Sequence, residues 1–273
     1  MLYRVEEARF SFVPAGNPSV LVLKDLEDLG KWLRAPLPPD LICFECHALP
    51  ENCEALPDPV LVDGAPTPGI DYVIANPEHD FGTMYQLAQL APRFPVRARL
   101  ALRPGVEKAL RLAAALKIGV LLMPEQPDAD EIHRLAAALN AYLHDHDVEA
   151  PVEPFHSWLA ALVRDEPVDL WQISENNPAT VVDLVSNTDG LPARVADRAG
   201  LDVEAFRQSF WDIAAAHPEC QECRHREICH GYFKWPDPSY DCTRLRGEAL
   251  DILCDAADAL KKLFPNQSEP TRA

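Results

Sequence analysis

The sequence predicts an α/β protein whose parallel strands form part of a sheet or barrel, followed by a small cysteine-rich subdomain. Strand-like and helix-like segments alternate over about residues 65–165, which is the pattern of parallel βα units. Hydrophobic residues make up 48% and charged residues 25% of the 273, a composition that supports a sizeable core. Four of the eight cysteines fall within residues 220–242. We therefore expect a partial-barrel-like α/β domain over residues 1–190 and a cysteine-rich subdomain with a C-terminal helix over residues 191–273.

The strands and helices of the sheet are predicted in the first two thirds of the chain. Residues 8–13 and 20–23 have the composition of strands on either side of a turn, and residues 24–34 have leucines at helical spacing. A proline-rich stretch with the first cysteines follows. Asp128 and Glu131 then have the spacing of a capping box, which marks the start of a long helix. The regular alternation comprises strands at 70–75, 96–102 and 118–123 and helices at 84–91, 106–116 and 128–143.

The last third of the chain is predicted to change character. Residues 168–174 have the composition of one more strand, and turn residues follow them. Residues 248–264 form an amphipathic terminal helix in which Cys254 is expected to be an ordinary buried apolar residue. Short helices are predicted over 191–216, with core candidates at Val195, Leu201, Phe206, Phe210, Trp211 and Ile213.

Charge and composition exclude several classes of function. The chain carries 43 acidic against 25 basic residues, a net charge of −18, which argues against binding nucleic acid or anionic membranes. Proline is frequent at 26 residues and glycine scarce at 11, and neither glycine-rich phosphate-binding motif occurs. No secretory signal and no apolar run of bilayer length is recognisable, so we expect a cytoplasmic protein. In that compartment clustered cysteines bind metals more often than they form disulfides.

The second cysteine group has the spacing of a metal site. Cys220, Cys223, Cys229 and Cys242 follow the pattern C-x2-C-x5-C-x12-C. Four thiolates satisfy either a structural zinc ion or a [4Fe–4S] cluster. The common zinc ribbons use a second C-x2-C pair, which is missing here and favours the cluster. Aromatic residues between the third and fourth cysteines would shield a cluster from water or form a small core around either metal: Tyr232, Phe233, Trp235 and Tyr240.

This segment resembles the auxiliary-cluster region of SPASM domains, which are C-terminal extensions of radical SAM enzymes that modify peptides and proteins. The resemblance covers about residues 215–250 and implies that Cys220, Cys223, Cys229 and Cys242 hold one auxiliary [4Fe–4S] cluster. It also implies that the preceding βα units resemble the partial barrel of a radical SAM enzyme. The partners so implied are a radical SAM enzyme, a peptide substrate, or both.

Two departures from the family limit what the resemblance implies. Phe233 stands where a cysteine of the first auxiliary cluster usually lies, so we expect no complete first auxiliary cluster. The motif C-x3-C-x2-C, which holds the SAM-binding cluster, occurs nowhere in the chain. We therefore expect neither standard radical SAM chemistry nor a stand-alone enzyme, but an accessory protein whose catalytic cluster has been lost.

The first cysteine group leaves three alternatives open. Cys43, Cys46 and Cys53, with His47, are candidates for a second metal site or an unconventional catalytic cluster. The run C-x2-C-H also matches covalent haem attachment, which occurs outside the cytoplasm. Free thiols near a strand end are the third alternative. The histidines, including His144 and His146, show no metal-ligand spacing among themselves, and we expect most of them to be solvated.

Three functions are compatible with these observations. The first is an accessory iron–sulfur protein that binds substrate or passes electrons, the second a zinc-stabilised interaction module, and the third an enzyme that uses the first cysteine group. Residues 217–246 contain five acidic and five basic residues, so the excess negative charge lies elsewhere and would face a basic partner. We expect Arg224, Arg226 and Lys234 to tune the cluster potential.

Overall fold

The computed structural model describes residues 2–6, 16–24, 27–175, 181–184, 215–235 and 237–263. Its framework is a parallel sheet of eight strands. The strands are β1 Leu2–Glu6, β2 Ser19–Leu23, β3 Leu41–Cys46, β4 Gly69–Ile74, β5 Val96–Leu100, β6 Gly119–Leu122, β7 Val152–Glu153 and β8 Val181–Leu184. The structure therefore confirms the predicted α/β class and the parallel strand arrangement.

The strand order is compatible with a partial barrel. Strands β1 to β7 lie side by side in chain order, and β8 lies beside β1, so that β7 and β8 form the two edges. A barrel of eight βα units has this order with the two edges joined. One cavity is lined by residues from every strand from β1 to β7. The sheet must therefore curve around that cavity, and it has an inner and an outer face.

Among the described residues, helices lie in the connection from β2 to β3 and in every connection from β4 to β8, as parallel pairing favours. The long helix near the middle of the chain begins with the predicted capping box, in which Asp128 Oδ1 accepts from the amide of Glu131 at 2.9 Å and Glu131 Oε2 accepts from the amide of Asp128 at 3.0 Å. The helices before the cysteine-rich segment are α1 Asp28–Leu33, α2 Pro77–Asp80, α3 Met84–Leu90, α4 Val106–Ala115, α5 Ala129–His144, α6 Phe155–Arg164 and α7 Leu170–Ile173.

The cysteine-rich segment consists of short helices and one long helix. They are α8 Pro218–Gln221, α9 Arg226–Cys229, α10 Thr243–Leu245 and α11 Asp251–Leu263, with a π-helical turn at Arg246–Leu250 between the last two. Helix α11 packs along α6. Tyr232 packs edge-on against Trp171, with 4.9 Å between the ring centroids. Apolar residues of this segment thus share one buried cluster with the sheet and its helices.

The two faces of the sheet differ in chemistry. Successive side chains of a strand point to opposite faces of the sheet. Those on the outer face are buried and apolar and pack against the helices, among them Leu21, Phe44, Ile70, Leu100 and Leu122. The inner face instead carries charged side chains from four strands: Arg4, Glu45, Asp71, Arg97 and Arg99. Strands β3 to β5 therefore have a buried outer face and charged residues on the inner one.

Several local predictions were wrong or fall outside the described residues. Residues 168–174, predicted as a strand, contain α7, because Asp169 accepts a hydrogen bond from the amide of Trp171 at 2.9 Å and so caps a helical turn. Strands β1, β3, β7 and β8 and helix α6 were not predicted. The predicted strand at 8–13, residues 191–214 of the predicted short helices, and the domain boundary near residue 190 lie outside the described residues. Within the described ranges, no helix is both long and apolar enough to span a bilayer.

Candidate metal centre

The four predicted metal ligands line one pocket. Cys220 lies in α8, Cys223 follows it, Cys229 ends α9, and Cys242 directly precedes α10. All four side chains border the same small space. The sequence prediction therefore selected four cysteines that the fold brings together from 23 consecutive positions.

Tight turns position the first three cysteines. The amide of Cys223 donates to the carbonyl of Cys220 at 3.3 Å, so the C-x2-C pair forms a single turn. After Cys229 the backbone turns sharply, because His230 and Gly231 are both left-handed, with φ of 45° and 77°. Glycine adopts this conformation without strain, whereas His230 needs the surrounding fold to hold it there.

This turn directs three amides at one sulfur. The backbone N–H groups of Phe233, Gly231 and Tyr232 lie near the Cys229 sulfur and favour its thiolate form. Burial opposes them and raises the pKa of the Cys229 thiol to about 11. Burial likewise raises the pKa of Cys242 to about 12 and raises that of Cys220. The thiols of Cys220, Cys229 and Cys242 are therefore protonated near neutral pH in the absence of metal, and a metal that binds them must displace protons.

The spacing of the thiols is wider than a single metal ion requires. Among the described residues, no three of the four sulfur atoms lie within 4.8 Å of one another. Zn–S bonds of about 2.3 Å in a tetrahedron place the sulfur atoms about 3.8 Å apart. The pocket thus has the four donors of a thiolate site, but they are more widely separated than around one zinc ion.

Cationic side chains surround this pocket. Lys234 is buried, and its ammonium group donates to a carboxylate oxygen of Glu219 and to the carbonyl of Tyr240. Arg226 and Arg246 also line the pocket. Arg224, predicted to act with Lys234 and Arg226, instead forms ion pairs with two carboxylates of α11 and does not line it. The position of Arg224 therefore differs from that of the other two cations, and tuning of a cluster potential stays a prediction for Lys234 and Arg226.

Cys254 also differs from its prediction. Its side chain is half-buried, and its sulfur lies 3.6 Å from Nδ1 of His225. The other ring nitrogen of His225 lies 2.8 Å from Oδ1 of Asp251. Cys254 therefore contacts a polar group and does not line the cysteine pocket.

The first cysteine group does not form one site. Cys43 lies on the inner face of β3, whereas Cys46 lies on the outer face in the apolar core with Cys53. Side chains on opposite faces of a sheet cannot share a metal ion, so a site made of these three cysteines is excluded. Attachment of one haem to Cys43 and Cys46 fails for the same reason. His47 Nε2 lies 3.1 Å from Oε1 of Glu45, and none of the three cysteines forms a disulfide.

The exposed histidine loop has one feature that the sequence did not indicate. Asp145, His146 and Asp147 place one donor atom each within 4.8 Å of the others. His146 and Asp147 are exposed, and their side chains form a surface pair at 3.3 Å. An exposed group of this kind does not by itself indicate a metal site.

Sequence reasoning missed the charged network on the inner face. Glu45 is fully buried and accepts from Arg4 Nε at 2.8 Å and from Arg99 Nη1 at 2.9 Å. Arg97 Nε donates to Asp71 Oδ1 at 3.0 Å, and Arg97 Nη2 donates to Glu175 Oε1 at 2.7 Å. Burial alone would raise the pKa of Glu45, but Arg4 and Arg99 outweigh burial and hold it well below its usual range. These residues share no sequence motif. A sequence-based prediction could have identified them only as charged residues within otherwise apolar strands.

Comparison with family models, with curated proteins and with solved structures finds no match to this chain. The chemistry of the site is therefore argued from the chain's own residues.

Proposed function

We propose that this chain is an accessory iron–sulfur protein that binds one [4Fe–4S] cluster and acts with a radical SAM enzyme in the modification of a peptide or protein. The observation that carries the proposal is the pocket lined by Cys220, Cys223, Cys229 and Cys242. Their spacing along the chain resembles that of a SPASM auxiliary cluster, and the fold gathers them around one space.

The environment of the pocket supports a cluster more than a zinc ion. Among the described residues, no three of the sulfur atoms lie as close together as the ligands of one zinc ion, which is compatible with a larger group. Amide donors to Cys229 are of the kind that stabilise cluster sulfurs and raise their reduction potential. Phe233 is buried and lines the pocket, where it excludes water. A [4Fe–4S] cluster, when bound, supplies one-electron transfer.

The chain's own residues would hold that group and balance its charge. Four thiolates ligate it, and Lys234, Arg226 and Arg246 offset its negative charge. Glu219 holds the Lys234 ammonium in place. The absence of C-x3-C-x2-C from the sequence leaves reductive SAM cleavage to the partner. The net charge of −18 favours a basic partner protein or peptide, and the parallel sheet supports descent from a radical SAM-type barrel.

Anaerobic reconstitution of the full-length protein tests the proposal. We expect about four iron and four sulfide per chain and a brown colour, as one [4Fe–4S] cluster requires. Serine substitutions at Cys220, Cys223, Cys229 and Cys242 should each lower the iron content. Cys254→Ser is the matched control, because Cys254 is a half-buried thiol outside the pocket, and it should keep full iron content.

A zinc-stabilised interaction module is the second candidate, because four thiolates also suit zinc. It predicts a colourless protein that contains about one zinc ion per chain and takes up no sulfide. Full content of the bound metal, iron or zinc, in all four cysteine variants would contradict the assignment of the pocket.

A further inference from the structure

The inner face of the sheet encloses a second space, separate from the cysteine pocket. It is a cavity of about 590 Å³ at the N-terminal ends of the strands. Its lining shares no residue with that of the cysteine pocket. Sites for small molecules usually have volumes of roughly 300–1,000 Å³ and mostly apolar walls with a few polar groups. This cavity has that size and composition.

Two glycines keep part of this cavity open. Gly69 and Gly119 begin β4 and β6, and neither has the positive φ that would require glycine. A Cβ at Gly69 would stand 3.6 Å from Cys43 Sγ, and a Cβ at Gly119 would stand 3.8 Å from the carbonyl oxygen of Pro151. Both are ordinary van der Waals distances. Backbone geometry therefore does not explain these glycines, whereas space for a ligand does.

Among the described residues, the charged side chains that line the cavity are more often negative than positive. Arg97 lies between Asp71 and Glu175, and Glu45 lies between Arg4 and Arg99. Of the described residues that line the cavity, Glu153 is the third carboxylate, beside Asp71 and Glu175, and Arg97 is the one guanidinium group. Its oxygens accept from the amide of Ser157 at 3.1 Å and from the hydroxyl of Ser157 at 2.7 Å. Among the described residues, no cationic side chain lies within 4.0 Å of the Glu153 carboxylate.

The rest of the lining is apolar. Aliphatic surface lies beside the carboxylates and comes from Val20, Ile42, Pro95, Val96 and Pro151. An aliphatic chain gains free energy when it leaves water for such a surface. A carboxylate that lies partly out of water and has no ion-pair partner attracts a cation. The two features together describe a ligand with one positive charge at the end of an aliphatic chain.

We infer that this cavity binds a single ammonium or guanidinium group carried on an aliphatic chain, with the cation at Glu153. Both a free alkylamine and a lysine or arginine side chain of a peptide have this chemistry. The inference does not depend on the cluster, so a negative result here would leave the proposed cluster unaffected.

Titration calorimetry on the full-length protein tests the inference with three probes of equal chain length. We expect n-hexylammonium to bind at least about tenfold more tightly than 1-hexanol, and hexanoate not to bind, because the cavity has excess negative charge. A blocked lysine tripeptide is the fourth probe. Tighter binding of the tripeptide than of n-hexylammonium assigns the site to a peptide side chain, and the reverse order assigns it to a free amine.

Three variants locate the binding site. Glu153→Gln removes the charge with little change of shape and should weaken n-hexylammonium binding at least about fivefold. Glu51→Gln is the control, because Glu51 is exposed and outside the cavity, and it should have no effect. Gly119→Leu should fill the cavity and abolish binding of every probe, with its folding checked by circular dichroism. Equal affinity for hexanol and n-hexylammonium, tighter binding of hexanoate, or unchanged affinity in Glu153→Gln would overturn the inference.

Discussion

Lys234 shows how a single buried cation contributes to the cysteine pocket. Burial alone would lower its pKa, but its hydrogen bond to Glu219 and the nearby thiols raise it, so the side chain stays charged. A cation beside a cluster stabilises the reduced form more, because that form carries one more negative charge. Lys234 should therefore raise the reduction potential.

Substitution of Lys234 tests this effect. In Lys234→Met we expect the cluster potential to fall by about 60 mV or more, the shift that corresponds to a tenfold change in a one-electron equilibrium. Arg224→Met should leave the potential unchanged, because Arg224 pairs with Asp251 and Asp255 outside the pocket. Anaerobic redox titration measures both. An equal shift in the two variants would show that local charge at the pocket is not the cause.

At the level of residues, the sequence predicts the cysteine pocket but not the charged inner face. The four cysteines of the pocket lie close together in the chain, so their spacing carries the information. Glu45 of β3 and Arg99 of β5 are 54 positions apart in the chain. They meet only because both strands run parallel on either side of β4 and place these side chains on one face. Single-sequence reasoning has no local pattern to detect such a pair. The prediction for Cys254 was wrong for a similar reason, because its neighbour His225 lies 29 positions earlier in the chain.

At the level of elements, strong periodicity predicted structure and short or mixed patterns did not. The helices at 106–115 and 129–144 and the strands at 69–74 and 119–122 agree with prediction within one or two residues. Strand β3 was missed, because its sequence LICFEC places Glu45 within an apolar run and follows a proline-rich stretch. Strand β7 has two residues, too few for any pattern.

Gly105 fixes the connection between β5 and α4. It precedes the helix with φ of +88°, and a Cβ there would stand 2.5 Å from Cα of Glu78. Gly105→Ala combines an unfavourable left-handed conformation with a backbone clash, so we expect a loss of more than about 2 kcal/mol in the free energy of unfolding. Gly82→Ala is the matched control, because nothing lies within 4 Å of its Cβ position and its φ is not positive. Urea denaturation of both variants gives the comparison, and equal stability would contradict the clash.

At the level of the whole molecule, the inner-face network connects distant parts of the sheet. The carboxylate of Glu45 in β3 links Arg4 of β1 to Arg99 of β5. Arg97 continues the network to Glu175. Such a network fills the inside of the curved sheet with paired charges in place of an apolar core. Removal of one partner leaves the other charges buried and uncompensated, which costs more than the pair contributes when intact.

Glu45→Gln should therefore destabilise the protein by about 3–5 kcal/mol at neutral pH. Because the pKa of Glu45 is lowered in the folded state, its contribution is complete above the unfolded value of about 4.3 and is lost as the pH falls through the folded pKa. Below about pH 4.3 the wild type loses this contribution and the variant has none to lose, so the difference between their unfolding free energies should shrink.

Urea denaturation of both proteins from pH 7 down to about pH 3 measures that difference, and effects common to the two, such as loss of metal, cancel. Glu51→Gln is the control, because Glu51 is exposed and its substitution should change stability by less than about 0.5 kcal/mol. A Glu45→Gln protein as stable as the wild type at pH 7 would mean that the buried pairs contribute nothing. A difference that stays constant as the pH falls would mean that Glu45 is not ionised in the folded protein.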